Sequence, residues 1–219
     1  MNHALPALTL LEARLLGVLV EKEKTTPDAY PLTLNSLAAG CNQKSSRDPV
    51  MNVSETEIQG ALEELRGRLL VLETYGASGR VLRYAQNLGK CYGVPLASVA
   101  LLAILMLRGA QTVSEMRANC ERLYRFDDAS SVEAYLEELA ARNSGALVAR
   151  LPKQPGSREH RWAHLLCGPA NLPTDHEQAG AGEAGRNAAL EERIARLEHE
   201  VSELRAVIGQ IAERMTRPP

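Results

Sequence analysis

Residues 160–167 contain three side chains of the kinds that bind transition metals. These are His160, His164 and Cys167. In an extended strand the two histidines share one face, whereas Cys167 points to the opposite face. The neighbouring sequence offers no evident fourth ligand. We therefore interpret the segment as a strand with a buried thiol, and we expect no metal site and no cofactor.

The sequence also lacks the motifs that usually position catalytic groups. It contains no glycine-rich phosphate loop and no nucleophile elbow. Cys41 lies on the apolar side of a predicted helix, so we interpret it as a core residue rather than as a nucleophile. We expect a protein without catalytic residues that is not an enzyme.

A second set of polar residues has the side chains that contact DNA. Ser54, Thr56 and Gln59 stand at the start of a predicted helix, where a helix-turn-helix protein meets base edges. Basic residues in the preceding loop and in a following hairpin are suited to phosphates. The candidate nucleic-acid-binding residues are Lys44, Arg47, Ser54, Thr56, Gln59, Arg80 and Arg83.

Acidic residues surround these candidates and leave a second function open. The net charge of the whole chain is −2, so its composition does not mark a nucleic-acid binder. Several carboxylates on one helix repel phosphate and suit a protein partner instead. Two functions therefore remain possible. The chain binds double-stranded DNA, or it is an interaction scaffold that binds a protein partner. The acidic residues on and just before the two third helices are Glu55, Glu63, Glu64, Asp127, Asp128, Glu133, Glu137 and Glu138.

The stretch from Ser54 to Tyr84 predicts a helix followed by a hairpin. Ser54 and Glu57 fit a capping box. Strands are predicted at Leu70–Thr74 and Arg80–Tyr84, on either side of a glycine-bearing tip. A helix that buries one face and continues into a hairpin is typical of a winged helix-turn-helix. The apolar face of the helix is predicted to comprise Ile58, Leu62, Leu65 and Leu69.

This helix-and-hairpin unit occurs twice. Leu62–Leu65 recurs as Leu136–Leu139, and Arg83–Ala85 recurs as Arg161–Ala163 with an aromatic residue in the centre. A repeat length of about 75 residues suits a duplicated small domain. The second hairpin is predicted at Ala146–Leu151 and Arg161–Leu166. Other helix starts are predicted at Thr9 with Glu12, Thr33, Thr112 with Glu115, and Ser130 with Glu133.

The sequence therefore predicts a mainly α fold with small β-hairpins, built as two tandem winged helix-turn-helix domains and a C-terminal coiled-coil helix. The domains are expected at residues 8–90 and 94–168, followed by a flexible linker at 169–188. Leu96–Leu107 is apolar nearly all round, which predicts a helix between neighbours. Asn42–Pro49 is a polar loop, for which two explanations are open: structural turns, or a docking or phosphate-contact role.

Residues 189–216 carry a heptad pattern. Branched residues at the a positions and leucine at the d positions favour a parallel two-stranded coiled coil. We expect a homodimer, and the alternative is a single amphipathic helix that packs on its own chain. The candidate dimerisation residues are Ile194, Leu197, Val201, Leu204, Ile208 and Ile211.

The remaining expectations concern compartment and membrane. The four cysteines are widely separated, which disfavours a disulfide framework and favours a reducing compartment. The longest apolar run, Val99–Leu107, is far below the roughly 18 residues that span a bilayer. We expect a cytoplasmic protein without a membrane partner.

Two motifs support a family resemblance. Tyr30–Asn35 has the sequence YPLTLN, and Cys41–Val50 has the sequence CNQKSSRDPV. Together with Glu21-Lys22 and Thr25–Pro27, they resemble the YceH-like family of uncharacterised bacterial proteins. The resemblance covers roughly residues 8–168 and implies a tandem winged-helix fold. It implies no site residues, because the family has no settled activity.

Overall fold

The structure, a computed structural model, describes residues 7–75, 79, 81–153 and 156–168. The described residues belong to one compact unit. Arg80, the linker at 169–188 and the coiled-coil helix at 189–216 lie outside the described residues. The same is true of all six dimerisation candidates, Ile194, Leu197, Val201, Leu204, Ile208 and Ile211, so the homodimer stays a prediction.

The described residues are mainly helical with small antiparallel sheets, as predicted. A 3₁₀ turn at Pro27–Ala29 follows the first helix. The α-helices are α1 (Leu10–Thr25), α2 (Leu34–Cys41), α3 (Glu55–Gly67), α4 (Leu88–Tyr92), α5 (Leu96–Arg108), α6 (Val113–Cys120) and α7 (Ala129–Ala140). The strands are β1 (Val71–Tyr75), β2 (Leu82–Gln86), β3 (Gln111–Thr112), β4 (Val148–Arg150) and β5 (Arg161–His164).

Each half contains a hairpin and a short third segment paired with it. In the first hairpin β1 lies antiparallel to β2, with Glu73 opposite Tyr84. Leu32 bridges to Tyr84 from the other side. In the second half the strand order is β3-β5-β4, and β3 occupies the place that Leu32 has in the first half. Sequence reasoning missed both third segments, because one or two residues carry no periodic pattern.

The helix starts follow the predicted caps, with one correction. The predictions at Thr9, Thr33, Ser54 and Thr112 are confirmed, because each side chain accepts a hydrogen bond from the backbone N–H three residues later. The prediction of a cap at Ser130 with Glu133 is wrong. The carboxylate of Asp128 accepts from the backbone N–H of Ser131 at 2.8 Å and begins α7. Asp128 follows Ser54 by 74 residues, the same interval as from Leu62 to Leu136.

The C-terminal end of α3 also differs from the prediction. The helix ends at Gly67, and Leu69 is 63% exposed with a φ of 58°. Leu70 takes the buried place instead. The backbone N–H of Leu70 donates to the carbonyl of Leu65 at 2.9 Å, which turns the chain out of the helix and into β1. Leu69 therefore does not belong to the apolar face.

The core is continuous between the two halves. Residues 12–20 of α1 and residues 97–107 of α5 are buried, and the two helices pack against each other. Burial of α5 on all sides was predicted, whereas that of α1 was not. At Gly17 an added Cβ would lie 2.8 Å from Cγ of Leu107 and 3.3 Å from the carbonyl oxygen of Ala103. The helices thus approach to a distance that leaves no room for a side chain.

Equivalent hydrogen bonds recur in the two halves. The N–H of Leu70 bonds the carbonyl of Leu65 in the first half, and the N–H of Leu147 bonds the carbonyl of Leu139 at 3.0 Å in the second. In each half the bond closes the turn between the third helix and the first hairpin strand. The repeat seen in the sequence therefore extends to the backbone connections. The division into domains at 8–90 and 94–168 stays a prediction.

Candidate nucleic-acid interface

The predicted contact residues on α3 lie at the start of the helix. Thr56 and Gln59 are exposed there. Ser54 is exposed as well, but its hydroxyl caps the helix: it donates to Oε2 of Glu57 at 2.6 Å and accepts from the backbone N–H of Glu57 at 3.3 Å. The hydroxyl and the backbone N–H of Ser54 both donate to the carboxylate of Glu57, and these two bonds lower its pKa. Thr56 and Gln59 are thus the free polar side chains of the predicted set on this helix.

The Asn42–Pro49 loop is fixed at both ends. The side-chain amide of Asn42 donates to the carbonyl of Val53 at 2.8 Å, and its Oδ1 accepts from the N–H of Val53 at 2.8 Å. The N–H of Asp48 donates to the carbonyl of Leu107 at 2.8 Å. The loop therefore joins the end of α2 to the residue before the N-cap of α3 and attaches to the C-terminal end of α5. These contacts are those of structural turns.

Arg47 is the centre of this loop rather than a surface cation. Its side chain is buried, and Nη2 lies 2.6 Å from Oε2 of Glu21 while Nη1 lies 3.2 Å from Oε1. Nε donates to the carbonyl of Gly40 at 3.0 Å, and Nη2 also donates to Oε1 of Gln43 at 2.6 Å. A phosphate could replace these partners only by breaking the loop. The structure thus places Arg47 in a structural role instead of the predicted phosphate contact.

Arg14 is a second buried arginine beside Arg47, and sequence reasoning missed it. Its guanidinium donates to the carbonyls of Cys41 at 3.2 Å and Pro49 at 2.6 Å. Burial lowers the pKa of Arg14, and the neighbouring charge of Arg47 lowers it further. One signal was available: Arg14 is a lone cation within the apolar face of α1. Arg14 and Arg47 together hold the loop between α2 and α3.

Arg83 also has a structural role, which its repeat in the second half makes clear. Nη1 of Arg83 donates to the carbonyl of Pro31 at 2.7 Å, and Nη1 of Arg161 donates to that of Ala110 at 2.6 Å. Both acceptors precede the residue that pairs with the second hairpin strand. The repeated arginine therefore fixes the third segment of each sheet. The structure thus places Arg83 in a structural role instead of the predicted phosphate contact.

Lys44 is exposed, so three of the predicted side chains, Lys44, Thr56 and Gln59, remain available to a ligand among the described residues. Arg80 lies outside those residues. The first half thus offers a single described cation from the predicted set. This number is small for a DNA interface, because each phosphate contact requires its own cation.

The His160, His164 and Cys167 pattern does not form a ligand set. Nδ1 of His160 lies 3.1 Å from the carbonyl of Leu151, and Sγ of Cys167 donates to the carbonyl of Thr9 at 3.6 Å. Burial lowers the pKa of His164 to about 4. Within the described ranges, no group of three or more His, Cys, Asp or Glu side chains could hold a metal ion.

The thiols of the two second helices are core groups. Cys41 ends α2 and Cys120 ends α6, and both are fully buried. Burial raises the pKa of each thiol to about 12. A thiol with so high a pKa is a poor nucleophile at neutral pH. The prediction that Cys41 is a core residue is therefore confirmed.

The second half contains a cationic cleft that sequence reasoning did not single out. We call it the basic cleft. It has a volume of about 280 Å³. Arg117 donates from Nη2 to the carbonyl of Asp127 at 2.9 Å, and the hydroxyl of Ser114 donates to Glu159 before β5 at 2.9 Å. The cleft thus lies between α6, the start of α7 and the second hairpin. Its lining residues are Ser114, Arg117, Ala118, Glu121, Arg125, Phe126 and Ala129.

Two further exposed cations are close in sequence to residues of the basic cleft and of its border. Arg122 follows α6, and Arg158 lies beside Glu159 in the second hairpin. Acidic groups are present too: Glu121 lines the cleft, and the hydrogen bonds from Ser131 and Ser130 lower the pKa of Asp128 to about 2. The cleft therefore combines two arginines with one carboxylate. The sequence signal for the basic cleft is the group of three arginines, Arg117, Arg122 and Arg125, within nine residues.

Within the described part of the structure, no helix has both the length and the apolar character needed to cross a bilayer.

Comparisons with known proteins identify relatives over nearly the whole chain. The family model described as "Protein of unknown function, DUF480" matches residues 8–157. A UPF0502 protein of Acidovorax sp. (strain JS42) is 53% identical over 213 residues, which cover 95% of this chain and 94% of the relative. One from Dechloromonas aromatica (strain RCB) is 52% identical over 216 residues, covering 95% and 97%. The resemblance to a YceH-like family is thus confirmed, and the chain belongs to the DUF480 (UPF0502) family of bacterial proteins.

Proposed function

We propose that the chain is a non-enzymatic tandem winged-helix protein that associates with duplex DNA. The fold assignment is supported by the order of elements in each half: a helix, a short paired segment, two further helices and a hairpin. A helix-turn-helix protein places the last helix of the motif in the major groove. In this chain those helices are α3 and α7.

The basic cleft is the observation that carries the DNA proposal. Arg117 and Arg125 stand beside Ala129, the first residue of α7, where a recognition helix meets the duplex. The exposed carboxylates Glu137 and Glu138 lie eight and nine residues further along α7. At 1.5 Å per residue this distance is roughly 12 Å, so these carboxylates are removed from the helix start. The arginines of the cleft are therefore the best placed groups for phosphates.

The two halves would then contribute differently to DNA binding. In the first half Arg47 is buried and Arg83 is half-buried, and both are bonded to protein groups. In the second half Arg117 and Arg125 are exposed, although Nη2 of Arg117 donates to the carbonyl of Asp127, so phosphate contacts fall mainly to the second half. Thr56 and Gln59 on α3 are available for base edges, and Lys44 for one phosphate. Because few cations are involved, we expect weak binding that decreases with salt concentration.

The test is a salt titration with the full chain. Binding to a fluorescently labelled duplex of about 30 base pairs is measured by anisotropy between roughly 50 and 300 mM salt. We expect affinity to decrease with salt. The double variant Arg117→Ala with Arg125→Ala should reduce the slope of log K against log salt by about 2. The matched control, Lys24→Ala with Lys90→Ala, removes two exposed lysines that do not line the cleft and should leave the slope unchanged.

Two results would count against this proposal. Absence of binding at about 50 mM salt would overturn DNA association. An unchanged slope in the arginine variant, with normal binding by the natural chain, would move the phosphate contacts away from the basic cleft. Lys44→Ala measures the first half separately, with an expected slope reduction of about 1.

A protein-docking scaffold is the second candidate function, and the acidic third helices favour it. Glu63 and Glu64 are exposed on α3, and Glu137 and Glu138 are exposed on α7. Such surfaces are complementary to a basic protein partner rather than to phosphate. Charge reversal of Glu137 and Glu138 to lysine should strengthen DNA binding if DNA is the ligand, and should weaken binding if the partner is a basic protein.

We also propose that residues 189–216 join two copies of the chain as a parallel coiled coil. Sedimentation at micromolar concentration should give a dimer for the full chain and a monomer after deletion of residues 189–219. A full-length monomer would contradict the proposal.

A further inference from the structure

The outer strand of the first hairpin has an unpaired edge. β2 uses both of its edges, because it pairs with β1 on one side and with Leu32 on the other. The N–H of Tyr84 donates to the carbonyl of Leu32 at 2.8 Å, and the N–H of Leu32 donates to that of Tyr84 at 3.0 Å. β1 uses only the edge that faces β2. No other strand pairs with β1 in the part of the chain that is described.

The hydrogen-bond pattern identifies which groups of β1 face outward. The N–H of Asn87 donates to the carbonyl of Leu70 at 2.9 Å, and these two residues continue the register of the hairpin. Residues of an antiparallel pair alternate between bonding across the pair and pointing away from it. The backbone groups of Leu72 and Thr74 therefore bond to β2, and those of Glu73 and Tyr75 point to the free edge. Tyr84, opposite Glu73, points away from β1 in the same way.

This edge is also accessible and apolar. Leu72 is 42% exposed and Tyr75 is 68% exposed. Hydrogen bonds from other described residues to the outward backbone groups of Glu73 and Tyr75 are absent. Strand edges of this kind are templates for pairing with another chain, and proteins commonly block them with lysine, proline or short length. β1 has five residues and contains neither lysine nor proline.

The corresponding strand of the second half is protected. β4 has only three residues, Val148–Arg150, and Arg150 is exposed at its end. Pro152 and Lys153 follow after Leu151 and prevent further extension of the edge. The same position in the repeat thus carries blocking residues in one half and none in the other. The open edge is a property of β1 and not of the fold.

The charges near β1 indicate which kind of strand could pair with its free edge. Glu73 and Tyr84 are directly opposite each other, and Nη1 of Arg66 lies 3.1 Å from Oε2 of Glu73. Burial raises the pKa of Tyr84, and the charges of Glu73 and Glu63 add to the rise while Arg66 opposes it. Two carboxylates and one guanidinium therefore surround this face, which leaves it net acidic. A strand with a basic residue opposite Glu73 would be complementary to it.

A second copy of the chain is a poorer occupant than such a strand. Two β1 strands paired symmetrically and antiparallel about their central residue would bring Glu73 opposite Glu73. Like charges directly opposite each other destabilise a strand pair. We propose that the free edge of β1 binds an extended segment of a protein partner, antiparallel, with a basic residue opposite Glu73 and apolar residues opposite Leu72 and Tyr75. This docking site is independent of the DNA association proposed above.

The test uses the ¹⁵N-labelled full chain and two synthetic peptides. The first is acetyl-Ser-Val-Thr-Lys-Val-Thr-Ser-amide, which places lysine opposite Glu73 and valines opposite Leu72 and Tyr75. The second has glutamate in place of the lysine. We expect the amide signals of Glu73 and Tyr75 to shift most, and the lysine peptide to bind about two- to fivefold more tightly. Glu73→Lys should reverse this preference, whereas Glu137→Lys, the same change at an exposed site on α7, should not.

A backbone measurement does not depend on any variant of the chain. In the proposed register the amide of the peptide lysine donates to β1, and the amide of the threonine just before the lysine points away. Methylation of the lysine amide should abolish binding, and methylation of the amide of that preceding threonine should preserve it. Equal binding of the two parent peptides, or no shift of residues 71–75 at millimolar peptide, would overturn the proposal. Shifts of these signals with chain concentration alone would overturn it in favour of self-pairing.

Discussion

The two halves of the chain share one backbone plan and use their arginines in opposite ways. In the first half Arg47 is buried and bonded to Glu21, and it holds the connection between the second and third helices. In the second half the same connection carries Arg122 and Arg125 at the surface. The comparison teaches that this connection is variable within the plan. One copy uses it for stability, and the other uses it to present charge.

The outer hairpin strands show a second difference. β1 ends in exposed apolar residues and keeps its edge open, whereas β4 is short and is followed by Pro152 and Lys153. The first half is thus the more suitable for a strand of another protein, and the second half for phosphate. A duplicated unit can divide two kinds of binding in this way, because each copy keeps the core that supports the other.

The largest expected effect concerns the arginines of the two connections. Arg47→Ala should lower the free energy of unfolding by about 3 kcal/mol, because it leaves Glu21 and the carbonyl of Gly40 without their partner. Arg125→Ala should change it by less than about 0.5 kcal/mol, because this side chain is exposed. Denaturant unfolding of the two variants measures both. Equal effects would remove the distinction between a structural and a surface arginine.

The contact between the halves should be sensitive to one methyl group. Gly17→Ala places a Cβ 2.8 Å from Leu107, and we expect a loss of about 1 to 3 kcal/mol in the free energy of unfolding. Gly60→Ala is the matched control in α3, where no atom lies within 4 Å of the added Cβ. It should raise the free energy of unfolding by about 0.5 to 1 kcal/mol through helix propensity alone. A neutral Gly17→Ala would mean that α1 and α5 can separate at little cost.

The helix starts and the repeat could be predicted from the sequence because they depend on local chemistry. A capping box needs only two residues three positions apart, so Ser54 with Glu57 was sufficient. The start of α7 was missed because Asp128 and Ser131 form the same reciprocal pair with less usual residues. The halves were recognised from repeated residues, and the structure adds repeated hydrogen bonds that no sequence pattern reports.

The roles of the arginines could not be predicted, because a pattern does not reveal what a long side chain reaches. Arg47 lies in a polar loop and forms an ion pair with Glu21, which is 26 residues away in the chain. The position of Arg83 in the hairpin predicts a wing residue on the surface. Its recurrence as Arg161 with the same kind of carbonyl partner indicates a structural role. Repetition in both halves was thus a better guide to structure than position in a hairpin.

The third prediction concerns pH and compares His164 with its counterpart. His164 follows Trp162 by two residues, as Gln86 follows Tyr84 in the first half. Burial lowers the pKa of His164 to about 4, below its usual value of 6.5. The unfolded chain therefore binds a proton more readily than the folded chain between these values. The stability that the neutral ring supports is complete above pH 6.5 and decreases as pH falls towards 4.

His164→Gln places the residue of the first half in the second. The natural chain should lose about 2 kcal/mol of unfolding free energy between pH 7 and pH 5 from this group, and the variant should not. Denaturant unfolding of both at the two pH values measures the difference. A parallel decrease in the two proteins would show that His164 is protonated as easily in the folded state as in the unfolded one.

The smallest expected effect concerns the turn after the third helix. Leu69 has a φ of 58° in the first half, whereas the turn of the second half places Gly145 at a φ of 110°. A leucine in the left-handed region is strained, and a glycine is not. Leu69 is also largely exposed, so its removal sacrifices little apolar burial. Leu69→Gly should therefore raise the free energy of unfolding by about 0.5 kcal/mol, after the greater freedom of glycine in the unfolded chain is subtracted.

Leu72→Gly serves as the control for this change, because Leu72 is an exposed leucine in the regular strand β1. Without a positive φ to relieve, glycine should only weaken the strand, by about 0.5 to 1 kcal/mol. The two substitutions thus have opposite expected signs in thermal and denaturant unfolding. If Leu69→Gly destabilises as much as Leu72→Gly does, the side chain of Leu69 contributes packing that outweighs its backbone strain. The two turns would then differ for reasons of contact rather than of conformation.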